Sequence, residues 1–181
     1  MLFPHTRVPG VELRACRVHG PEDLHRVLGG YDGLPSAEVL SQLLPEDPEE
    51  YAAQFTVVPD DSEEAVGVVG LHTLDLANGH VRAELFLLPA VDARTVAATA
   101  ALTVNYAFSM FRIRKVYVWT VGGEARVFRD VPVETRNEGT LIEYVADGDG
   151  LHDVTVVAVD REAWDEGVAF LDELVGAEAP R

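Results

Sequence analysis

The first regular alternation of apolar and polar positions is Val11-Glu12-Leu13-Arg14-Ala15-Cys16-Arg17-Val18, and a period of two predicts a strand with one buried face. Residues 1–9 show no such period and are expected to form a loose arm. Behind Pro21, which suits a first helical turn, Leu24, Val27 and Leu28 fall at helical spacing and predict a short helix. Gly29-Gly30 ends it, and Ser36 is placed to cap a second helix reaching Leu44. Gln54-Phe55-Thr56-Val57-Val58 reads as a strand ended by Pro59-Asp60-Asp61, and Ala65 to Asp75 reads as another. Asn78-Gly79, the pair that tight hairpins favour, joins it to a strand from Val81 to Leu88 that Pro89 stops. Val96, Ala100, Val104, Phe108 and Phe111 then mark a long helix from about Asp92 to Met110. Asp92 stands where an N-cap is needed, and Arg112, Arg114 and Lys115 crowd the other end, where positive charge suits the helix dipole. Val116 to Thr120 is a strand, and strand–helix–strand over this distance predicts one right-handed crossover between two parallel strands. A short helical piece through Phe128 follows. Thr140–Ala146 and Val154–Val159 are strands about the turn at 147–150, and Arg161 to Val175 is a terminal amphipathic helix.

The order β, α, α, β, β, β, α, β, α, β, β and a last helix predicts an α/β (α+β) fold. A mixed central sheet of six to seven strands would have helices on both faces, in one domain over residues 1–181. Composition then narrows the function. A formal charge of −17 disfavours a surface built for nucleic acid. No apolar run nears the roughly 20 residues of a membrane span. Cys16 is the only cysteine, which excludes an internal disulfide and a cysteine metal cluster, and the histidines show no metal spacing. With no secretory segment visible, the cytoplasm is the expected location.

Several local sequences carry a resemblance. Asn78-Gly79 lies in a hairpin, Ala83-Glu84-Leu85 lies in the next strand, and Tyr106-Ala107-Phe108 comes late in the long helix. Glu138-Gly139-Thr140-Leu141 enters a strand, Leu151-His152-Asp153-Val154 begins another, and Arg161-Glu162-Ala163-Trp164 follows it. In this order they resemble the GCN5-related N-acetyltransferase (GNAT) family, closest to its ribosomal-protein and amino-acid N-acetyltransferase branch. The resemblance implies acyl transfer from a thioester, acetyl-CoA or another acyl-CoA, to an amine. It implies that the parallel strands splay and that the pantetheine arm lies in the gap beside Phe86, Leu87 and Leu88. The pyrophosphate would sit on the first turn of the long helix, at Asp92, Ala93, Arg94 and Thr95. The family's signature there is Gln or Arg, two residues, Gly, one residue, Gly or Ala. It falls on Pro89-Ala90-Val91-Asp92-Ala93-Arg94, so Asp92 and Arg94 replace glycines that let backbone approach phosphate. Where the family has an asparagine after the next strand, this chain has Gly122-Gly123-Glu124, and Phe128 is the only aromatic residue near the family's acidic tyrosine.

Transfer needs a base, and Glu84, in an otherwise apolar strand run, is the first candidate. Its structural alternative is an ion pair with Arg82 or Arg14. His72, on the preceding strand, is the second candidate, with a satisfied structural histidine as the alternative. Tyr31, Asp32, Tyr117 and Trp119 are candidates for the acceptor pocket, although strand aromatics usually serve the core. Three readings stay open: an acyl-CoA enzyme acting on a small-molecule amine, an enzyme whose thioester hangs on an acyl or peptidyl carrier protein, and a non-catalytic binding or assembly protein. A carrier would dock on basic residues, for which Arg94, Arg126 and Arg129 are available. A homodimer is also open.

Overall fold

The computed structural model describes residues 4–29, 35–121, 126–167 and 169–176. The alternating segments form β1 (Arg7–Val8), β2 (Val11–Ala15), β3 (Tyr51–Pro59), β4 (Gly67–Asp75), β5 (His80–Leu87), β6 (Lys115–Val121), β7 (Arg136–Asp147) and β8 (Gly150–Asp160). The helical segments form α1 (Gly20–Val27), α2 (Ala37–Leu43), α3 (Ala93–Met110), α4 (Arg161–Gly167) and α5 (Ala169–Gly176). All eight strands lie in one sheet, in the order β1-β2-β3-β4-β5-β6-β8-β7. Every neighbouring pair is antiparallel except β5 and β6, which are parallel across the α3 crossover.

The sheet has one strand more than the six to seven expected, and the extra strand is β1. Residues 7 and 8 are therefore part of the sheet rather than of a loose arm. Gly10 turns the chain at φ 102°, a conformation that suits glycine. The Asp60 carboxylate accepts from the Gly10 amide at 2.8 Å and pairs with Arg7 at 2.9 Å. The expected terminal helix is described as α4 and α5, helical on both sides of residue 168, which lies outside the described residues.

Helix α3 covers one face of the sheet. Ala97, Ala100, Ala101, Leu102, Val104 and Phe108 are buried there against Val69, Leu71, Val81, Ala83, Val116 and Val118. Each such valine or leucine contributes roughly 1.5–3 kcal/mol when fully buried. Five alanines on the buried stripe (97, 98, 100, 101 and 107) let helix and sheet approach closely. The carbonyls in and just beyond the last turn of α3 are met by Arg161, which donates to Phe108 at 2.8 Å, Phe111 at 3.1 Å and Ile113 at 2.7 Å. Arg114 and Lys115, expected in that role, instead bind Asn78 and Glu138.

The opposite face is covered by α1 and α2. Leu24, Leu28 and Leu40 pack on Val68, and Val39 and Leu43 pack on Val145 and Val154. Ser36 caps α2, its hydroxyl accepting from the Val39 amide at 3.2 Å. Directly paired residues of neighbouring strands share a face. The pairs Gly70–Glu84, His72–Arg82 and Arg82–Tyr117 therefore put these side chains, with Trp119 two residues on, on the α1–α2 side. Among the described residues, no helix is long and apolar enough to cross a membrane.

Candidate active site

The parallel pairing of β5 with β6 runs from His80–Lys115 to Ala83–Val118 and stops there, although β5 continues to Leu87 and β6 to Val121. Past that point each strand follows its antiparallel partner. Leu87 stays opposite Gly67 of β4, and Val121 stays opposite Val154 of β8. The sheet therefore opens between its two halves, and the backbones of Phe86 and Leu87 border the opening. Leu88 leaves the strand, its amide donating to the Val66 carbonyl at 2.9 Å.

Glu84 is the first residue of β5 beyond the last parallel pair, and its side chain is 6% exposed. Its Oε1 accepts from Arg82 Nε at 2.5 Å and lies 3.5 Å from His72 Nε2. His72 is buried, and its Nδ1 is 2.9 Å from the Thr73 hydroxyl. The Tyr51 ring meets the His72 ring edge-on, with centroids 5.3 Å apart. Burial first, and then the charge of Glu84, push the Tyr51 phenol up to about 12, so it remains a donor at neutral pH. The Arg82 guanidinium lies 4.0 Å over the Trp119 ring, and Trp119 meets Tyr144 with centroids 5.7 Å apart. Beneath α1, Val18, Leu24, Tyr51, Gly70, Glu84 and Phe86 help line a cavity of about 20 Å³, room for about one water molecule.

No protein-family model matches the sequence, and no curated protein matches it. Solved structures do match. A GCN5-related N-acetyltransferase from Brucella melitensis aligns over 96% of this chain and 87% of its own, at 16% identity and a TM-score of 0.65. The spermidine/spermine N-acetyltransferase SpeG of Vibrio cholerae aligns over 87% and 97%, at 14% identity and a TM-score of 0.64. A protein of Chromobacterium violaceum described as a probable GNAT-family acetyltransferase aligns over 88% and 87%, at 20% identity and a TM-score of 0.63. The fold is that of the GNAT acetyltransferases. At these identities the likeness is one of architecture.

Asp92 stands immediately before Ala93, Arg94 and Thr95 of the first turn of α3. Asp92 caps the helix, with Oδ1 accepting from the Thr95 amide at 3.0 Å and Oδ2 from the Thr95 hydroxyl at 2.7 Å. The Thr95 hydroxyl and amide hold this carboxyl below its ordinary range, so the helix start carries a negative charge at neutral pH. Asp92, Ala93 and Arg94 are exposed and Thr95 is half-buried. A groove of about 710 Å³ runs beside this turn towards the ends of β2 and β3. Its wall carries Asp60, which Arg7 pairs, together with Asp61, Asp92 and Arg94.

The GNAT sheet brings Glu84, His72 and Trp119 into one cluster. Tyr117 lies at the paired end, with its ring 5.5 Å from the His80 ring and 5.6 Å from Lys115 Nζ. Tyr31, Asp32 and the stretch from Gly122 to Glu124 lie outside the described residues, as does the Arg126 side chain, while Arg94 and Arg129 are exposed. Arg14, the other expected partner of Glu84, binds Glu12 and Glu63 instead. Tyr51 and Thr73 belong to the cluster but escaped the sequence reading. Tyr51 comes from a strand with its own irregular register, and Thr73 from a bulge that interrupts the alternation of β4. Among the described residues, no group of three or more His, Cys, Asp or Glu side chains is arranged to hold a metal ion.

Proposed function

We propose that the protein is an N-acyltransferase that moves an acyl group from a thioester directly to the amine of a small molecule. The observation that carries this reading is the position of Glu84 at the floor of the opening between β5 and β6. A pantetheine arm lying in the opening would find strand backbone along Phe86 and Leu87, and its thioester would end beside Glu84. The amine nitrogen attacks the thioester carbonyl and Glu84 takes the proton that nitrogen sheds; the carbon–sulfur bond then breaks to a thiolate, and that proton, passed on from Glu84 directly or through water, converts it to the thiol and restores the base. Arg82 Nε holds Glu84 Oε1 in place by an ion pair. Acetyl-CoA is the donor we favour. The amine is a small molecule, as the name of the similar spermidine/spermine enzyme states for that protein. The wording of the sequence favours the ribosomal-protein and amino-acid branch within the family.

One observation supports a second donor. The ionised Asp92 at the α3 N-terminus opposes a pyrophosphate, and a carrier-borne pantetheine brings one phosphate in place of the whole nucleotide. Arg94 and Arg129, both exposed, are then part of the docking surface we propose for an acidic carrier protein.

The test is titration of the purified protein with acetyl-CoA by calorimetry, followed by measurement of free thiol released in the presence of a panel of primary amines. Binding together with amine-dependent thiol release supports the reading. Failure of acetyl-CoA and of acetyl-loaded carrier protein alike to release thiol with any amine, when the thioester demonstrably binds, overturns it.

A further inference from the structure

Thr73 has φ +50°, the left-handed region, where a β-branched residue is a real outlier. The cause is a bulge. His72 pairs with Arg82 and Asp75 with His80, so three steps along β4 meet two along β5 and one residue is extra. At the first position of such a bulge, in the left-handed region, glycine is the usual occupant because it has no Cβ to strain. This chain places threonine there, at an exposed position, at a cost in backbone strain. The hydroxyl so gained is 2.9 Å from His72 Nδ1.

The chemistry of the ring's two neighbours differs. His72 Nε2 is buried without a hydrogen-bond partner and faces Glu84 Oε1 at 3.5 Å. An ionised carboxylate can only accept, whereas a hydroxyl donates or accepts by turning. A neutral imidazole has one proton, and two lone pairs facing each other at Nε2 and Oε1 would repel. The proton therefore belongs on Nε2, which leaves Nδ1 to accept from the Thr73 hydroxyl. Arg82 Nε already donates to the same Oε1. With Arg82 Nε donating to Oε1 and His72 Nε2 facing it, the other oxygen of Glu84 is the one left to take a proton.

We propose that Thr73 is a positioning residue, held in a strained bulge so that its hydroxyl fixes the tautomer of His72, and that His72 and Arg82 together orient Glu84. The tautomer stands on the geometry alone, while its use in catalysis rests on the reading of Glu84 as the base.

The experiment is long-range proton–nitrogen correlation NMR of the histidine rings in the intact ¹⁵N-labelled protein at neutral pH. In the wild type and in Thr73→Ser, His72 is expected to carry its proton on Nε2. In Thr73→Gly, which removes the hydroxyl and relieves the strain, the ratio of tautomers should move about 3- to 10-fold towards Nδ1, the worth of one hydrogen bond. The melting midpoint of Thr73→Gly should be unchanged or higher, so a shift in tautomer cannot be put down to unfolding. Protonation of His72 on Nδ1 or on both nitrogens in the wild type, or an unchanged ratio in Thr73→Gly, overturns the proposal. With any amine that the protein acylates, Thr73→Gly should lower kcat about 3- to 10-fold at unchanged KM, and Thr73→Ser should restore it. If the NMR result holds and no amine is acylated, the acyltransferase reading fails and the tautomer assignment stands. If acylation occurs and the two variants turn over alike, the role of Thr73 in catalysis is refuted.

Discussion

Asp92 offers two effects that one pair of substitutions can separate. Its carboxylate caps α3 by accepting from the Thr95 amide and hydroxyl, and its charge lies at the start of the helix, where a pyrophosphate would bind. Serine caps a helix about as well as aspartate, so Asp92→Ser should leave stability nearly unchanged, whereas Asp92→Ala should lose about 1 kcal/mol. For a chain of this size that loss lowers the melting midpoint by roughly 2–4 °C. The effect on the donor is electrostatic. Two unit charges 4 Å apart interact by about 1 kcal/mol in water and about 4 kcal/mol near a protein surface. Asp92 is exposed, so the watery limit governs, and removing its charge should gain about 1 kcal/mol of acetyl-CoA binding. That is about a fivefold lower Kd for both variants. Calorimetry at low salt reads the gain, and it should nearly vanish near 1 M salt, where the screening length is about 3 Å. Acetyl-pantetheine, which lacks phosphate, should bind all three proteins alike. A gain that survives high salt, or that appears equally with acetyl-pantetheine, would refute the electrostatic argument, and so would an unchanged Kd in Asp92→Ser.

Glu84→Gln keeps the size of the buried side chain, so the protein should stay folded by circular dichroism while amine-dependent thiol release falls roughly 10²- to 10⁴-fold; undiminished turnover removes Glu84 as the base. Alanine at Gly67 would meet the Phe86 carbonyl oxygen at 2.8 Å as well as the Leu87 side chain, whereas at Gly70 it would meet only the Tyr51 ring, at 2.7 Å. Overpacking costs about 1–3 kcal/mol, and backbone yields less readily than a ring edge, so Gly67→Ala should lower the melting midpoint more than Gly70→Ala. Stability should fall in acid. The Gly10 amide on Asp60, the Asn78 amide on Asp75, the His152 ring on Asp147 and the Lys115 ammonium on Glu138 hold these carboxyls below their ordinary values of 3.8 and 4.5. Their contribution is present above those values and is lost as pH falls through the lower folded ones. At the other end, Lys115 is raised from 10.5 by its hydrogen bond to Glu138, and Tyr51 from 10.0 to about 12 by burial. Their contribution is present below the ordinary values and is lost as pH rises through the folded ones, so urea midpoints measured between pH 2 and pH 12 should drop at both ends.

The order of elements was legible because each rests on local chemistry. Asn78-Gly79 turns the hairpin, Asp92 caps α3, and the apolar spacing of Val96 to Phe108 selects a helix. What escaped depends on contacts between distant parts of the chain. The two-residue strand β1 is held by Asp60, 53 residues beyond Arg7, and the α3 C-terminus by Arg161, 53 residues beyond Phe108. No window of sequence contains such partners. The site was legible in the same measure. Glu84 stood out as a charge in an apolar strand, and Arg82, two residues away, shares its face by the period of a strand. The point at which β5 and β6 part is set by the opposite pulls of β4 and β8, and the bulge at Thr73 by pairing with β5. Neither leaves a mark in the residues themselves.

Helix α2 lies over the β7–β8 side of the site, and one of its side chains does more than pack. Gln42 donates to the Ala146 carbonyl at 2.7 Å and accepts from the Ala146 amide at 3.1 Å, so a side-chain amide occupies the place of a next strand at the margin of β7. An unguarded margin of this kind is a template for joining another chain. Any swing of α2 away from β7 would break both bonds and bare that template. Two hydrogen bonds from one side chain thus stand between this sheet and self-association, and Gln42→Ala, which removes both, should clump more readily than the wild type.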